Sequence, residues 1–466
     1  MSQSESNVAA PVGSPKSDGK MQWVERLALV MERVVPDAIS TSIILMIALV
    51  ALALGIGTPL STTVDAYYRG LWSLLAFTMQ MTLILVLSLI LGATPFFRQL
   101  IVSLSRLPRT VPQVVVGAVL TSGAIAYMNW GLAIALGPLV AIHFCRQAEA
   151  KGLRVDFLFM MATLAGAGAI WQFGFSGSAP LLVATPGHFL EKTIGVLPLS
   201  TTIWAPATLI LVVSFLVATM IAGVALMPKN VRPVSEFQAA EASVVDPVDD
   251  APTPGSKRTA AIWMEHSPLV MAPLVLMLLA WLYMHFFVKQ LSLDINSMNT
   301  IVLTLGVILH KNIFRFTRAL REAVGLAWPI VLLYHLYAGV AGLIQFTPVG
   351  EYLVSFFDPI MTPYTFPLLI VVVSAIVSFF IPTSGGQWLI QGYVTVQAAA
   401  AVGHSAQRGL LALSVGDHMG NLLTPFWAVV GASIARVDFR LMFGYRLIFA
   451  GIWFVMGTLA FTFLPC

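Results

Sequence analysis

Residues 366–402 read FPLLIVVVSAIVSFFIPTSGGQWLIQGYVTVQAAAAV, and the reading of this stretch decides the architecture. Two apolar arms of about fifteen residues flank Pro382-Thr383-Ser384-Gly385-Gly386, a run that no helix of a lipid-facing span would choose at its centre. At about 1.5 Å per residue such an arm covers about 22 Å, less than a hydrocarbon core of about 30 Å. The arms therefore predict a hairpin that enters and leaves the membrane on one side. Residues 113–145 repeat the design, with arms on either side of Asn129-Trp130-Gly131.

The rest of the chain agrees with a membrane setting. Hydrophobic residues make up 58% of its 466 positions and charged residues 10%. The mean hydropathy is +0.87. A soluble protein of this length needs far more charge to cover its surface. Spans of about 17–25 apolar residues are expected near 38–57, 71–92, 157–187, 202–227, 267–288, 297–310, 323–346, 409–434 and 442–463. The reading is an all-α polytopic membrane protein with nine transmembrane helices plus two re-entrant hairpins.

The formal charge of +4 marks topology and not a nucleic-acid partner, because the basic residues sit between apolar segments. With two hairpins and nine spans, 21 of the 25 Lys and Arg residues fall on one side, Arg446 among them, and only Arg69, Lys192, Lys289 and Arg408 on the other. A cytoplasmic N-terminus follows from the positive-inside rule. Residues 1–20 are polar, lack the apolar core of a signal peptide, and read as a disordered tail. Residues 21–37 begin with helical apolar spacing and read as an interfacial helix. Two cysteines, Cys145 and Cys466, are too few for a disulfide framework, and no His, Cys or Asp spacing suits a structural metal.

Order along the chain suggests symmetry. A first repeat (38–227) runs span, span, hairpin 113–145, interrupted span 157–187, span. A cytoplasmic linker (228–266) and a connecting span (267–296) follow. A second repeat (297–463) runs span, span, hairpin 366–402, interrupted span 409–434, span, in the opposite orientation. Inverted-topology repeats of this kind mark transporters whose solute site lies near the bilayer midplane.

Four breaks carry the candidate chemistry. They are Asn129, Trp130 and Gly131; Ser176, Gly177 and Ser178 within Gly174-Phe175-Ser176-Gly177-Ser178-Ala179-Pro180; Thr383, Ser384, Gly385, Gly386 and Gln387; and Asp417, His418 and Asn421 within Gly416-Asp417-His418-Met419-Gly420-Asn421. Backbone freed from a helix at membrane depth survives only when buried in protein or lining a cavity. Exposed helix N-termini suit a carboxylate, and freed carbonyls suit a cation. Any one break alone also fits a helix kink satisfied by its neighbours. Asp417, inside an apolar segment, suits a coupling proton or cation, or a helix end in a water-filled vestibule. His335, beside Tyr334, reads as a packed histidine. Trp130, Trp171, Trp388 and Trp427 suit the walls of an apolar pocket or interfacial anchors. The sequence Gly174-Phe175-Ser176-Gly177-Ser178 approaches a hydrolase nucleophile elbow but lacks its final Gly and strand-turn-helix setting.

Taken together, LLAFTMQM (74–81), NWG (129–131), GFSGSAPLLVATPG (174–187), the Asn-bearing stretch 295–311, SGGQWLIQG (384–392) and PFWA (425–428) resemble bacterial short-chain fatty acid transporters of the AtoE type. The resemblance runs from about residue 21 to the C-terminus, apart from the linker. It implies an inner-membrane secondary carrier for short monocarboxylates such as acetoacetate or butyrate. Coupling would be to H+ or Na+, with no cofactor, no enzymatic activity and a homodimer as an option. The chain departs from the family pattern at two places. Pro382-Thr383-Ser384-Gly385-Gly386-Gln387-Trp388 stands where Pro-Ser-Gly-Gly-Gly-His-Trp is usual, and Gly416-Asp417-His418-Met419 where a Glu-Gln pair is usual. The alternative cargo is another small organic anion, a dicarboxylate or an amino acid. A dicarboxylate calls for a further fixed cation, and the sequence offers no Lys or Arg close to the breaks.

Overall fold

The computed structural model describes residues 38–237, 259–355, 360–381, 383–424, 427, 431–432 and 434–465. The expected tail, the interfacial helix 21–37, linker residues 238–258, Pro382, Pro425, Phe426, Ala428 and Cys466 lie outside the described residues. Among the described residues helix follows helix, with no strand. Seven helices among the described residues are long and apolar enough to cross a membrane, or eight when a bent pair counts as one span.

The first half runs α1 (Ala38–Gly55), α2 (Leu60–Trp72), α3 (Leu75–Gly92), α4 (Pro95–Ser105), α5 (Val111–Met128), α6 (Trp130–Ala150), α7 (Phe157–Ala167), α8 (Ser178–Val183), α9 (Glu191–Ile194) and α10 (Pro206–Ala225). The second runs α11 (Ala260–His266), α12 (Pro268–Tyr283), α13 (Ile295–His310), α14 (Ile313–Gln345), α15 (Val349–Ser355), α16 (Thr365–Phe380), α17 (Ser384–Ala401), α18 (Ala406–Leu423) and α19 (Arg440–Phe463). The amphipathic helix α2 stands where a loop was expected between the first two spans. Helix α14 bends by 44° between Gly325 and Ile330.

Helices α5 and α6 pack against each other on either side of Asn129. They are 18 and 21 residues long, about 27 and 31 Å, and each is long enough to cross. The argument from short arms therefore does not hold for 113–145. Only Asn129 leaves the helical ladder, and the outer ends run past the expected boundaries into polar flanks. The second pair, α16 and α17, has 16 and 18 residues.

A second expectation is corrected at 416–421. The span does not unwind there, because α18 is continuous from Ala406 to Leu423. Its break falls at Thr424, whose backbone is extended, and residues 431–432 and 434–435 are helical again. Gly416 and Gly420, four apart on one face, serve packing instead. A Cβ on Gly416 would lie 2.6 Å from Ser374 Cβ, and one on Gly420 2.5 Å from Ser378 Cβ. The glycines let α16 lie against α18 at backbone distance. A similar seam joins α2 to α14, where the Cβ of a side chain at Gly70 would fall 2.8 Å from Gly342 Cα.

The first-half break is where the sequence places it. After α7 the chain tightens into a 3-10 turn, Gly168–Phe173, and is non-helical over 174–177 before α8 begins. The start of the linker is ordered. Asp156, fully buried, caps α7 by accepting the Phe159 N–H at 2.8 Å and also holds Arg232 through its N–H at 3.0 Å and its Nε at 3.3 Å. Helix α12 is apolar all round and exposed along almost its whole length.

The α16–α18 contact generates a stability test. Gly416→Ala overpacks a backbone contact and is expected to cost about 1–3 kcal/mol, read as a lower melting temperature of the detergent-purified protein. Gly137→Ala, which meets nothing within 4 Å, should not lower it.

Candidate functional site

The first tip is built around Asn129. Its backbone is extended, ending α5 and capping α6. The side-chain Oδ1 accepts the Leu132 N–H at 3.0 Å and the Ser88 hydroxyl at 2.7 Å. The neighbouring Trp130 N–H, one of the amides a helix start leaves without a partner, donates to Ser176 Oγ at 2.9 Å. Phe175 N–H donates to the Tyr127 carbonyl at 2.8 Å. Gly174 has to be glycine, since a Cβ there would strike that same carbonyl. The tip and the 174–177 break are thus stitched together by their own freed backbone.

The second tip meets the first-half break across the molecule. Thr383 caps α17 by accepting the Gly386 N–H at 3.2 Å. A Cβ on Gly385 would lie 3.4 Å from Ser178 Cβ, so the start of α17 and the start of α8 face each other. Ser384 Oγ donates to Gln172 Oε1 at 2.9 Å. The Gln172 amide Nε2 in turn donates to Asp417 Oδ2. Asn421, one turn on, donates its Nδ2 to the same oxygen at 3.1 Å. Ser378 of α16 donates to the Asp417 carbonyl at 2.6 Å. Asp417 is wholly buried, and a carboxylate in such a place persists only when held by donors of this kind.

One residue along, a second bond spans the same gap. Trp171 Nε1–H donates to His418 Nδ1 at 3.1 Å. The 3-10 turn and α18 are therefore joined by two rungs in opposite running order, 171 with 418 and 172 with 417. The tighter winding of the 3-10 turn aims consecutive side chains at one neighbouring helix.

Most of the residues singled out from sequence converge here. Trp130 meets Ser176, while Asn129 and Gly131 meet Ser88; Ser384 and Gly385 meet Gln172 and Ser178; Asp417, His418 and Asn421 line α18. Gln387 does not join them. It donates to the Ser374 carbonyl at 2.8 Å and to Gln391 Oε1 at 2.9 Å, inside the α16–α17 contact. Gly386 packs beside Tyr337. His335 binds the Leu71 carbonyl at 3.1 Å, a packing role. Trp388 is fully buried and no interfacial anchor.

Sequence reasoning passed over Gln172, Ser374 and Ser378, each a lone polar group inside an apolar run. It also misplaced Arg446, counted among the cytoplasmic charges. Arg446 is buried on α19, donating Nε to the Leu422 carbonyl at 2.9 Å and Nη2 to the Asn421 carbonyl at 3.2 Å. It caps the end of α18 next to the Thr424 break, so a cation does stand near a break. The signal was a charge four residues inside an expected span. Among the described residues no three His, Cys, Asp or Glu side chains gather as metal ligands.

Among the described residues, long apolar helices with buried polar side chains where the two halves meet define a multi-pass membrane protein. The sequence pattern of the Short chain fatty acid transporter family matches residues 21–463, and the chain belongs to that family. A relative from Escherichia coli (strain K12) bearing the short-chain fatty acid transporter name is 28% identical over 441 residues, covering 92% of this chain and 97% of the relative. One from Haemophilus influenzae (strain ATCC 51907 / DSM 11121 / KW20 / Rd) with the same name is 28% identical over 445 residues, with 92% and 96% covered. Among solved structures the chain is similar in fold to the Alcanivorax borkumensis YdaH transporter, whose crystal structure was described as having an unusual topology. The TM-score is 0.54 at 17% identity, over 92% of this chain and 98% of that one.

The Ser384–Gln172–Asp417 chain yields a direct test. Gln172→Leu leaves two buried polar groups each short of a partner and is expected to cost about 1–3 kcal/mol, read by thermal unfolding in detergent. Because Ser384 acts on Asp417 only through Gln172, Ser384→Ala added to Gln172→Leu should lower stability little further. Full additivity would break the proposed chain.

Proposed function

We propose that this protein is a secondary carrier for short monocarboxylates of the acetoacetate and butyrate class in the bacterial inner membrane, driven by a coupling cation, H+ or Na+, through alternating access. The N-terminus is cytoplasmic in this reading. The pairs α5–α6 and α16–α17 are re-entrant hairpins of two inverted repeats, supported by the one-sided distribution of basic residues and by the parallel order of helix pair followed by broken helix.

The observation that carries the reading is the Gln172–Asp417 rung. A carboxylate with no fixed cation in hydrogen-bonding contact is held at the junction of the two halves by uncharged donors from each. It takes up a proton or cation there and, by doing so, weakens or strengthens the bonds that tie the halves together. Coupling and conformational change then share the same atoms. The dicarboxylate alternative gains Arg446 as a buried cation, yet two of its nitrogens are given to carbonyls of α18. A single carboxylate remains the better match.

Uptake of labelled butyrate into proteoliposomes tests this. Wild-type protein accumulates butyrate above equilibrium under an imposed Na+ or proton gradient, and swapping the gradients identifies the ion. Asp417→Asn, correctly inserted, exchanges internal for external butyrate but no longer accumulates it. Accumulation by Asp417→Asn equal to wild type removes Asp417 from coupling, and absence of any butyrate flux through wild type removes the cargo assignment.

A further inference from the structure

The two rungs that join the 3-10 turn to α18 differ in chemistry. On the 172–417 side oxygens prevail and the donors are already committed: Gln172 Oε1 accepts from Ser384, and Asp417 Oδ2 accepts from both Gln172 and Asn421. The 171–418 side is the reverse. An indole N–H can only donate, so His418 Nδ1 is the acceptor of the Trp171 bond. A neutral imidazole with an acceptor at Nδ1 carries its proton at Nε2. That Nε2–H is buried and has no hydrogen-bond partner among the described residues.

Two more unpartnered donors lie on the first tip, whose Trp130 ring neighbours Trp171. Asn129 Oδ1 is fixed toward the Leu132 amide, which leaves its Nδ2 hydrogens without a partner. Trp130 Nε1–H is likewise unpartnered, and its ring centroid lies 6.2 Å from that of Trp171. Trp171 is thus a ring neighbour of both Trp130 and His418, the latter 6.1 Å away. Asn129, Trp130 and His418 are 1%, 7% and 6% exposed, so none of the three can turn its donor to bulk water.

Three buried N–H groups with no unpartnered acceptor among those side chains call for a ligand that accepts and does not donate. An ionised carboxylate is such a ligand, with two oxygens and four lone-pair sites. A cation is repelled by N–H dipoles, and an alcohol brings a donor of its own. The unpartnered atoms near the second tip, Gln387 Oε1, Trp388 Nε1 and Tyr337 Oη, mix acceptor with donor and lack this character. Trp453, whose ring lies 5.8 Å from that of His418, adds apolar surface for a short acyl tail.

We propose that Asn129 Nδ2, Trp130 Nε1 and His418 Nε2 form the subsite for the substrate carboxylate, separate from the oxygen-rich Asp417 subsite for the coupling ion. The proposal rests on the carrier reading above and adds to it the seat of the anion. Substrate and ion then bind to opposite sides of one pair of neighbouring residues, 417 and 418, and α18 senses both.

Titration calorimetry of the purified full-length protein with sodium butyrate decides the matter. Trp130→Phe keeps the ring and removes only the N–H; His418→Leu removes the donor at Nε2. Each is expected to raise the Kd for butyrate by about tenfold, the usual worth of a hydrogen bond to a charged group. Asn129→Asp keeps the helix cap but turns a donor into a like charge, and should abolish measurable binding. His418→Gln, which restores an N–H donor, should recover part of the loss. Unchanged Kd in both Trp130→Phe and Asn129→Asp overturns the subsite while wild-type binding and uptake leave the carrier reading intact. Wild-type protein that neither binds nor transports butyrate overturns both.

Discussion

A polar group buried in an apolar body has to be answered by the protein itself, because neither lipid nor packed side chains can do it. The Gln172 amide is where that constraint is met most economically. Its carbonyl oxygen faces one tip and its nitrogen faces the buried carboxylate, so a single uncharged side chain links Ser384 of α17 to Asp417 of α18. The helix breaks, the small residues and the placement of the tips all serve to bring these three groups within reach. An amide is suited to the task because it donates and accepts at once and carries no charge of its own to be neutralised.

Around that contact, packing and chemistry divide the labour by residue size. Glycines at 416 and 420 bring α16 close enough for Ser378 to reach the Asp417 carbonyl. Arg446 closes the far end of α18 by occupying carbonyls that have no helical partner left, the favourable place for a cation on a helix dipole. The consequence is a helix that is rigid where its polar face works and broken only beyond it, at Thr424.

Much of this was legible in the sequence, for a physical reason. Polar residues inside apolar runs stand out because lipid tolerates so few, and that is the signal that singles out Asn129, Ser176, Ser384, Asp417 and Asn421. What escaped was the meaning of the glycines near Asp417. Gly416 and Gly420 read equally well as an unwound backbone or as a close-packing face, and only the neighbouring helix decides between them. Gln172 escaped because glutamine is chemically bland and gains its importance from partners 212 and 245 residues away in the chain. Arg446 was hidden by habit, since an arginine close to the end of an apolar segment is usually a flanking charge. Arm length misled at 113–145 because one extended residue, Asn129, is enough to turn a chain that is otherwise helical to within a residue on either side.

The α2–α14 seam has a bearing on how this chain can change over generations. At Gly70 and Gly342 the two backbones touch directly, each within 3 Å of where the other's first side-chain carbon would stand. Ordinary core positions drift in pairs, one residue growing while its neighbour shrinks. Here neither member has anything left to give up. A larger residue at one position finds no second substitution that makes room for it, so the pair is locked by geometry alone and admits no compensating history.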